Sequence, residues 1–110
     1  MAKYRSRITG NFDIIVEHIK REIMQSSISA SLEEQEMIYK GDVKICILSF
    51  ERYSYSGGNR LSLNVVIVGE NDNIDIIGTS TGGSNATFFK FNTLGEDAFL
   101  EKLKQAINKL

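Results

Sequence analysis

The chain has 110 residues, of which 42% are hydrophobic and 25% are charged, with a formal net charge of -1. These values are typical of one globular domain over residues 1–110 and exclude a mainly disordered chain. They also argue against a dedicated nucleic-acid binder, which usually carries a basic excess.

The apolar runs of the sequence are short, and Val65-Val66-Ile67-Val68 is among the longest. A helix that spans a bilayer needs about 20 consecutive apolar residues. The start of the chain is charged, with no apolar signal core behind it. The single cysteine, Cys46, excludes an intrachain disulfide. We therefore expect a cytoplasmic protein without a membrane anchor.

The N-terminal stretch, residues 3–9, alternates in polarity. Its basic residues share one side: Lys3, Arg5 and Arg7. A period of two predicts a short strand with one basic, solvated face.

A helix is predicted next. Asn11 suits an N-cap, because its side-chain oxygen can accept a hydrogen bond from an otherwise unpaired amide of the first turn. The apolar residues that follow return with helical spacing and form one stripe: Phe12, Ile15, Val16, Ile19 and Ile23. We expect this helix to end near Ser26.

Short strands separated by turns fill the middle of the chain. The predicted strands are residues 28–39, 43–55, 60–69, 74–80 and 85–92. The acidic run Glu33–Glu36 indicates an exposed edge or a bulge in the first of them. Only Glu34 and Glu36 can share one side of a strand there, so a solvated edge is favoured over a cation site.

The last element is a second helix. Thr93 and Glu96 have the spacing of a capping box, which predicts a helix that begins near residue 94 and runs almost to the C-terminus. Its apolar residues form one stripe: Phe99, Leu100, Leu103, Ile107 and Leu110.

The element order therefore predicts an α+β fold of type β-α-β(4–5)-α. Short connections imply antiparallel hairpins, and both helices need an apolar partner. We expect a curved antiparallel sheet with the N-terminal and C-terminal helices packed on one face. This order resembles the helix-grip and TBP-like topologies, in which such a sheet wraps a C-terminal helix. That resemblance implies an apolar pocket near Phe99 and Leu103, unless side chains fill the space.

Two segments, residues 51–60 and 82–93, look like the central segments of a family of short bacterial proteins that is catalogued only as a domain of unknown function. The resemblance implies no activity, and it assigns no functional residues.

The best candidate site is the predicted hairpin between the strands at 43–55 and 60–69. It places two arginines and two tyrosines around a glycine turn: Arg52, Tyr53, Tyr55 and Arg60. The guanidinium groups of arginine and the hydroxyls of tyrosine suit a small anionic or amphipathic ligand, or a partner surface. The alternative is a structural hairpin whose tyrosines pack across strands.

Other reactive residue types favour structural roles. His18 is expected at the surface, because no orienting partner for a catalytic base is visible in the sequence. Cys46 lies among aliphatic residues and is expected to be buried and inert. The run 79–84 resembles a phosphate-binding loop in composition, but a strand is predicted to follow it, so a hairpin turn is favoured. We predict no catalytic residue, no metal and no cofactor.

The strands at 43–50 and 61–68 carry apolar side chains on both sides, and this pattern predicts that the chain forms an oligomer. Helices that cover one face would leave the other apolar face exposed. We expect a homodimer that buries the second face or an edge. The favoured function is a non-enzymatic binding or interaction module.

Two other functions stay open. One is a small enzyme that uses acid, base or electrostatic groups from Glu51, Arg52, Tyr53 or Tyr55. The other is a weak nucleic-acid binder that uses Lys3, Arg5 and Arg7, against which the net charge argues.

Overall fold

A computed structural model describes residues 2–53, 60–82 and 89–110, with the side chains of 89–97 left out of the description. The elements are β1 (Ala2–Thr9), α1 (Phe12–Gln25), β2 (Ser31–Lys40), β3 (Val43–Tyr53), β4 (Arg60–Glu70), β5 (Asn73–Gly82) and α2 (Phe89–Asn108). This confirms the predicted α+β class.

The strands form one open sheet in the order β1-β5-β4-β3-β2, and every neighbouring pair is antiparallel. Strands β2 to β5 follow one another as hairpins. Strand β1 is different, because it lies at the start of the chain and pairs with β5, the last strand that the structure describes. The register sets Ile8 beside Ile74 and Arg5 beside Ile77. The sheet thus has two edges, β1 and β2.

Helix α1 begins as predicted. The side chain of Asn11 accepts a hydrogen bond from the amide of Ile14 at 3.0 Å. The helix ends at Gln25, and the N–H of the C-cap residue Ser26 bonds to the carbonyl of Ile23. Its predicted apolar stripe is buried throughout.

The core lies between both helices and one face of the sheet. Helix α2 packs mainly on β5, β1 and β4, and it also packs against α1. The sheet side chains in the core are fully buried: Cys46, Leu48, Phe50, Leu61, Leu63, Val65, Ile67, Ile74 and Ile76. Burying apolar side chains in this way is the main stabilising contribution.

Glycine permits the close approach of α2. Gly78 lies in β5 under α2, and a Cβ atom at this position would overlap Leu103. The side chain of Leu103 therefore packs directly on the backbone of β5 at Gly78.

Strand β2 begins at Ser31, later than predicted. Ile28 belongs to the turn before it and is fully solvent-exposed. The register shifts between Leu32 and Glu34, so the predicted irregularity in the acidic run is confirmed as a bulge at Glu33.

The prediction of a strand at 85–92 is wrong for residues 89–92, which belong to α2, while 85–88 lie outside the described residues. Both sides of β5 are already occupied, by β1 and by β4. A further strand after β5 would therefore find no neighbour there. The predicted helix start near 94 is wrong for the same segment, because the helix begins at Phe89.

Candidate functional site

The predicted site at residues 52–60 is divided between the two faces of the sheet. Arg52 is only 5% exposed and lies on the face that the helices cover. Its guanidinium stacks on the ring of Phe99, 4.6 Å from the centroid. Tyr53 is 55% exposed on the opposite face. Successive residues of a strand point to opposite sides, so these neighbours do not share one surface.

Tyr53 and Arg60 do come together. They are cross-strand partners in β3 and β4, and the guanidinium of Arg60 lies 5.8 Å from the centre of the Tyr53 ring. Arg60 also forms an ion pair with Glu51. An anion would therefore compete with a carboxylate for this arginine. Tyr55 lies outside the described residues.

Among the residues whose side chains are described, two polar ones are buried on the helix-covered face, at the end of the sheet that includes Gly82. They are Arg52 and Ser80. The hydroxyl of Ser80 has no hydrogen-bond partner among the described residues. An unpaired buried hydroxyl lowers the stability of the fold, because it loses its hydrogen bonds to water without replacing them.

The run 79–84 has a different context from the predicted one. Residues 79–82 end β5, and the next described element is α2, a helix rather than a strand. The predicted hairpin turn is wrong for Thr81 and Gly82, which belong to β5, and its other residues lie outside the described part of the chain. Residues 83–88 lie outside the described part of the chain, so the phosphate-binding alternative is not tested.

We call the side of the sheet that faces away from both helices the open face. Its centre is a patch of part-exposed aliphatic side chains, which we call the apolar block: Ile38, Ile45, Ile47, Val66, Val68 and Ile77. These residues form two adjacent cross-strand rows. One row runs from Val68 through Ile45 to Ile38, and the other runs from Ile77 through Val66 to Ile47.

The open face is basic at one edge and acidic at the other. Strand β1 carries Lys3, Arg5 and Arg7 on this face, and the opposite edge strand, β2, carries Glu34 and Glu36.

Arg7 is neutralised locally, because its Nε donates to Asp75 at 2.7 Å and this bond raises the pKa of Arg7. No ion pair is found for Lys3, Arg5, Glu34 or Glu36 within residues 2–53, 60–82 and 98–110. These charges are available to a partner.

Beyond the apolar block the open face becomes polar towards Glu51: Ser49, Ser62, Asn64, Thr79 and Thr81. The hydroxyl of Ser49 donates to the side-chain oxygen of Asn64 at 2.9 Å. The face is therefore differentiated along the strands as well as across them.

The single thiol and the single imidazole do not form a reaction centre. Cys46 is fully buried, as predicted, and burial raises the pKa of its thiol, which keeps it protonated. His18, which was predicted at the surface, is half-buried, and its Nε2–H donates to the carbonyl of Ala106 in α2 at 2.7 Å. This imidazole joins the two helices. No cluster of metal-ligating side chains occurs in the described residues.

From residue 98 onward, the apolar side chains of α2 pack in the core against the sheet. Phe99 and Leu103, where an apolar pocket was expected, are fully buried in the core. A cavity of about 410 Å³ lies instead at the start of α1, beside the β2–β3 and β4–β5 turns, and its lining includes Phe12, Tyr39 and Lys44. Among the described residues, the open face is the surface on which apolar and charged groups are arranged together.

A family described as a family of unknown function (DUF6054) has a model that matches residues 1–110. No curated protein and no solved structure matches the chain, so the helix-grip and TBP-like comparison stays a prediction. No helix of the described residues is long and apolar enough to cross a membrane.

Proposed function

The chain belongs to DUF6054, a family of unknown function, and from this premise we propose that it is a non-enzymatic protein-interaction module whose binding surface is the open face. The observation that carries the proposal is the apolar block, which lies on a sheet face that no described element covers. A contiguous apolar patch with a polar and charged rim is typical of a protein–protein contact surface.

The arrangement of charges supports a protein partner over a small ligand. The predicted ligand residues Arg52 and Tyr53 lie on opposite faces, and Arg60 is already paired with Glu51. The open face, in contrast, presents unpaired charges along both edges, which suits a broad and flat partner. The homodimer predicted from the sequence is one form of this function. The proposed compartment is the cytoplasm, which the buried free thiol of Cys46 supports.

Thiol labelling tests whether the open face is covered. Val66→Cys places a thiol in the centre of the apolar block, and Ile14→Cys places one on α1, where Ile14 is 67% exposed. The natural Cys46 is buried, so the unmodified chain gives the background. We expect the thiol at 66 to react at least tenfold more slowly in the host cell than in dilute purified protein. The thiol at 14 is exposed in both settings, so its rate is the reference to which the rate at 66 is normalised.

A thiol at 66 that reacts in the cell as fast as the exposed thiol at 14 would overturn the proposal. Far-ultraviolet circular dichroism of both variants shows whether they keep the native fold. The comparison of position 66 with position 14 removes differences in reagent concentration between cell and buffer.

A further inference from the structure

We infer that the partner of the open face is a second copy of this chain, related by a two-fold axis that runs parallel to the strands, so that β1 of each copy lies over β2 of the other. This inference rests on the proposed function of the open face. It adds the identity of the partner and the direction of the symmetry axis.

The strand order fixes what such an axis does. A two-fold axis in the plane between two stacked sheets, parallel to the strands, exchanges left and right but keeps the position along each strand. The order β1-β5-β4-β3-β2 then places β1 over β2, β5 over β3 and β4 over itself. Both edge contacts are equivalent, as a two-fold dimer requires.

The charges match in this arrangement. Arg5, Ile77, Val66, Ile47 and Glu36 form one cross-strand row. In the dimer, Arg5 lies across from Glu36 of the second copy, Ile77 across from Ile47, and Val66 across from its own counterpart. The row is therefore complementary to itself at every position, with opposite charges at both ends and aliphatic contacts in the middle.

The next row repeats the pattern with polar residues in the middle. Lys3 lies across from Glu34 of the second copy, and Thr79 across from Ser49. Aligned sheets cross at about 30°, which moves the outer strands by only one or two residues. Arginine, lysine and glutamate side chains span such a shift.

The area of the open face is sufficient for a stable dimer. Strands of about ten residues and five strands side by side make a face of roughly 34 Å by 24 Å, or about 800 Å². A standard specific interface buries about 800 Å² on each partner. The face is thus as large as a complete interface.

The other in-plane axis, perpendicular to the strands, is disfavoured by the same charges. It would set β1 over β1, and Lys3, Arg5 and Arg7 would then face basic residues of the second copy. The strand-parallel axis has two costs. It places the Arg7–Asp75 ion pair across from Ile38 and Ile45 of the second copy, so this pair loses water on one side. In addition, β4 lies on the axis, and Glu70 meets its counterpart at the end of the strand. Glu70 is solvent-exposed, so water and salt screen this repulsion.

Charge reversal in the purified full chain tests the inference, with the dimer dissociation constant measured by sedimentation velocity. Arg5→Glu and Glu36→Arg are each expected to weaken the dimer about tenfold, because each change sets like charges against each other at two symmetric contacts. The double variant restores both contacts and should return to within about threefold of the original. Glu70→Gln should strengthen the dimer about twofold.

Arg21→Glu is the matched control, since Arg21 is exposed on α1 and the variant has the same change in net charge as Arg5→Glu. It should leave the dissociation constant unchanged. A stronger dimer in Arg5→Glu would overturn the axis direction. The inferred pairs are likewise wrong if the double variant stays as weak as the singles.

The two proposals fail separately. If the purified chain is a monomer at every concentration while the thiol at 66 is protected in the host, the second copy is the wrong partner and the interaction surface stands. A monomer with an unprotected thiol at 66 would overturn both.

Discussion

The two faces of the sheet are built from the same strands but differ in how they use apolar residues. On the helix-covered face, the side chains of β4 that contact the helices are fully buried: Leu61, Leu63, Val65 and Ile67. On the open face, the alternate residues of the same strand change from polar at Ser62 and Asn64 to aliphatic at Val66 and Val68.

The difference separates the face that packs against the helices from the face that we propose for binding. The helix-covered face is apolar along the length of β4, because α1 and α2 cover it. The open face combines an apolar centre with a basic edge on β1 and an acidic edge on β2. Apolar area alone would attract many surfaces, whereas ordered charges select a partner and its orientation.

The largest contrast is expected between neighbours on β3. Leu48→Ala removes a fully buried side chain and should lower the free energy of unfolding by about 2–5 kcal/mol. Ile47→Ala, one residue away on the open face, should cost under about 1 kcal/mol in dilute protein. Urea denaturation followed by circular dichroism measures both values.

Protein concentration sharpens this contrast. If a second copy covers the open face, the cost of Ile47→Ala grows as the dimer populates, because the native chain then buries this side chain. The cost of Leu48→Ala should change little with concentration. Equal costs at both positions in dilute protein would remove the distinction between the faces.

A second contrast concerns β5. Gly78→Ala adds a methyl group that overlaps Leu103 under α2, and overpacking of this kind should cost about 1–3 kcal/mol. Thr79→Ala, on the open face, should stay within about 0.5 kcal/mol of the original chain. Thermal unfolding of the two variants side by side measures the difference. A tolerated methyl at 78 would mean that α2 does not approach β5 as closely as described.

A third change should increase stability. Ser80→Ala removes a fully buried hydroxyl that has no hydrogen-bond partner among the described residues. The free energy of unfolding should rise by about 1 kcal/mol, since the hydroxyl no longer has to be desolvated on folding. A loss of stability in urea denaturation would show instead that the hydroxyl makes a stabilising contact.

The smallest effect is expected between the helices. Lys109 donates a hydrogen bond to Glu22 at 3.0 Å, and this bond, with the charge of Lys109, lowers the pKa of Glu22 below its ordinary value of 4.5. A pKa that is lower in the folded state adds stability above pH 4.5, and this stability is lost as the pH falls through the folded pKa. Glu22→Gln should therefore reduce the melting temperature slightly at pH 7 and not at pH 3. An equal reduction at both values would assign the effect to packing.

Local patterns predicted most of the elements. Alternation at residues 3–9 predicted β1, and Asn11 with the stripe from Phe12 predicted α1, because both signals arise from nearest neighbours along the chain. The acidic run predicted an irregular edge, and the bulge at Glu33 lies within it.

Long-range pairing could not be predicted from these patterns. The aromatic residues at 88–91 favour a strand by propensity, but β1 already occupies the position beside β5. The same pairing decides the candidate site, because it places a basic strand and an acidic strand at opposite edges of one face. Apolar residues at both alternating positions of β3 and β4 did signal a second apolar surface. The period of two places Arg52 and Tyr53 on opposite sides of β3, but it did not show which side the helices would cover.

The pairing of β1 with β5 also has a consequence for the order of folding. Strands β2 to β5 can form by successive local hairpins, which close quickly. Strand β1 emerges first during synthesis, yet its place in the sheet exists only after β5 has been made. The N-terminal segment must therefore remain unpaired while more than half of the chain is added, and it docks together with the last strand and α2. We expect the start of this chain to be the last part of its sheet to fold.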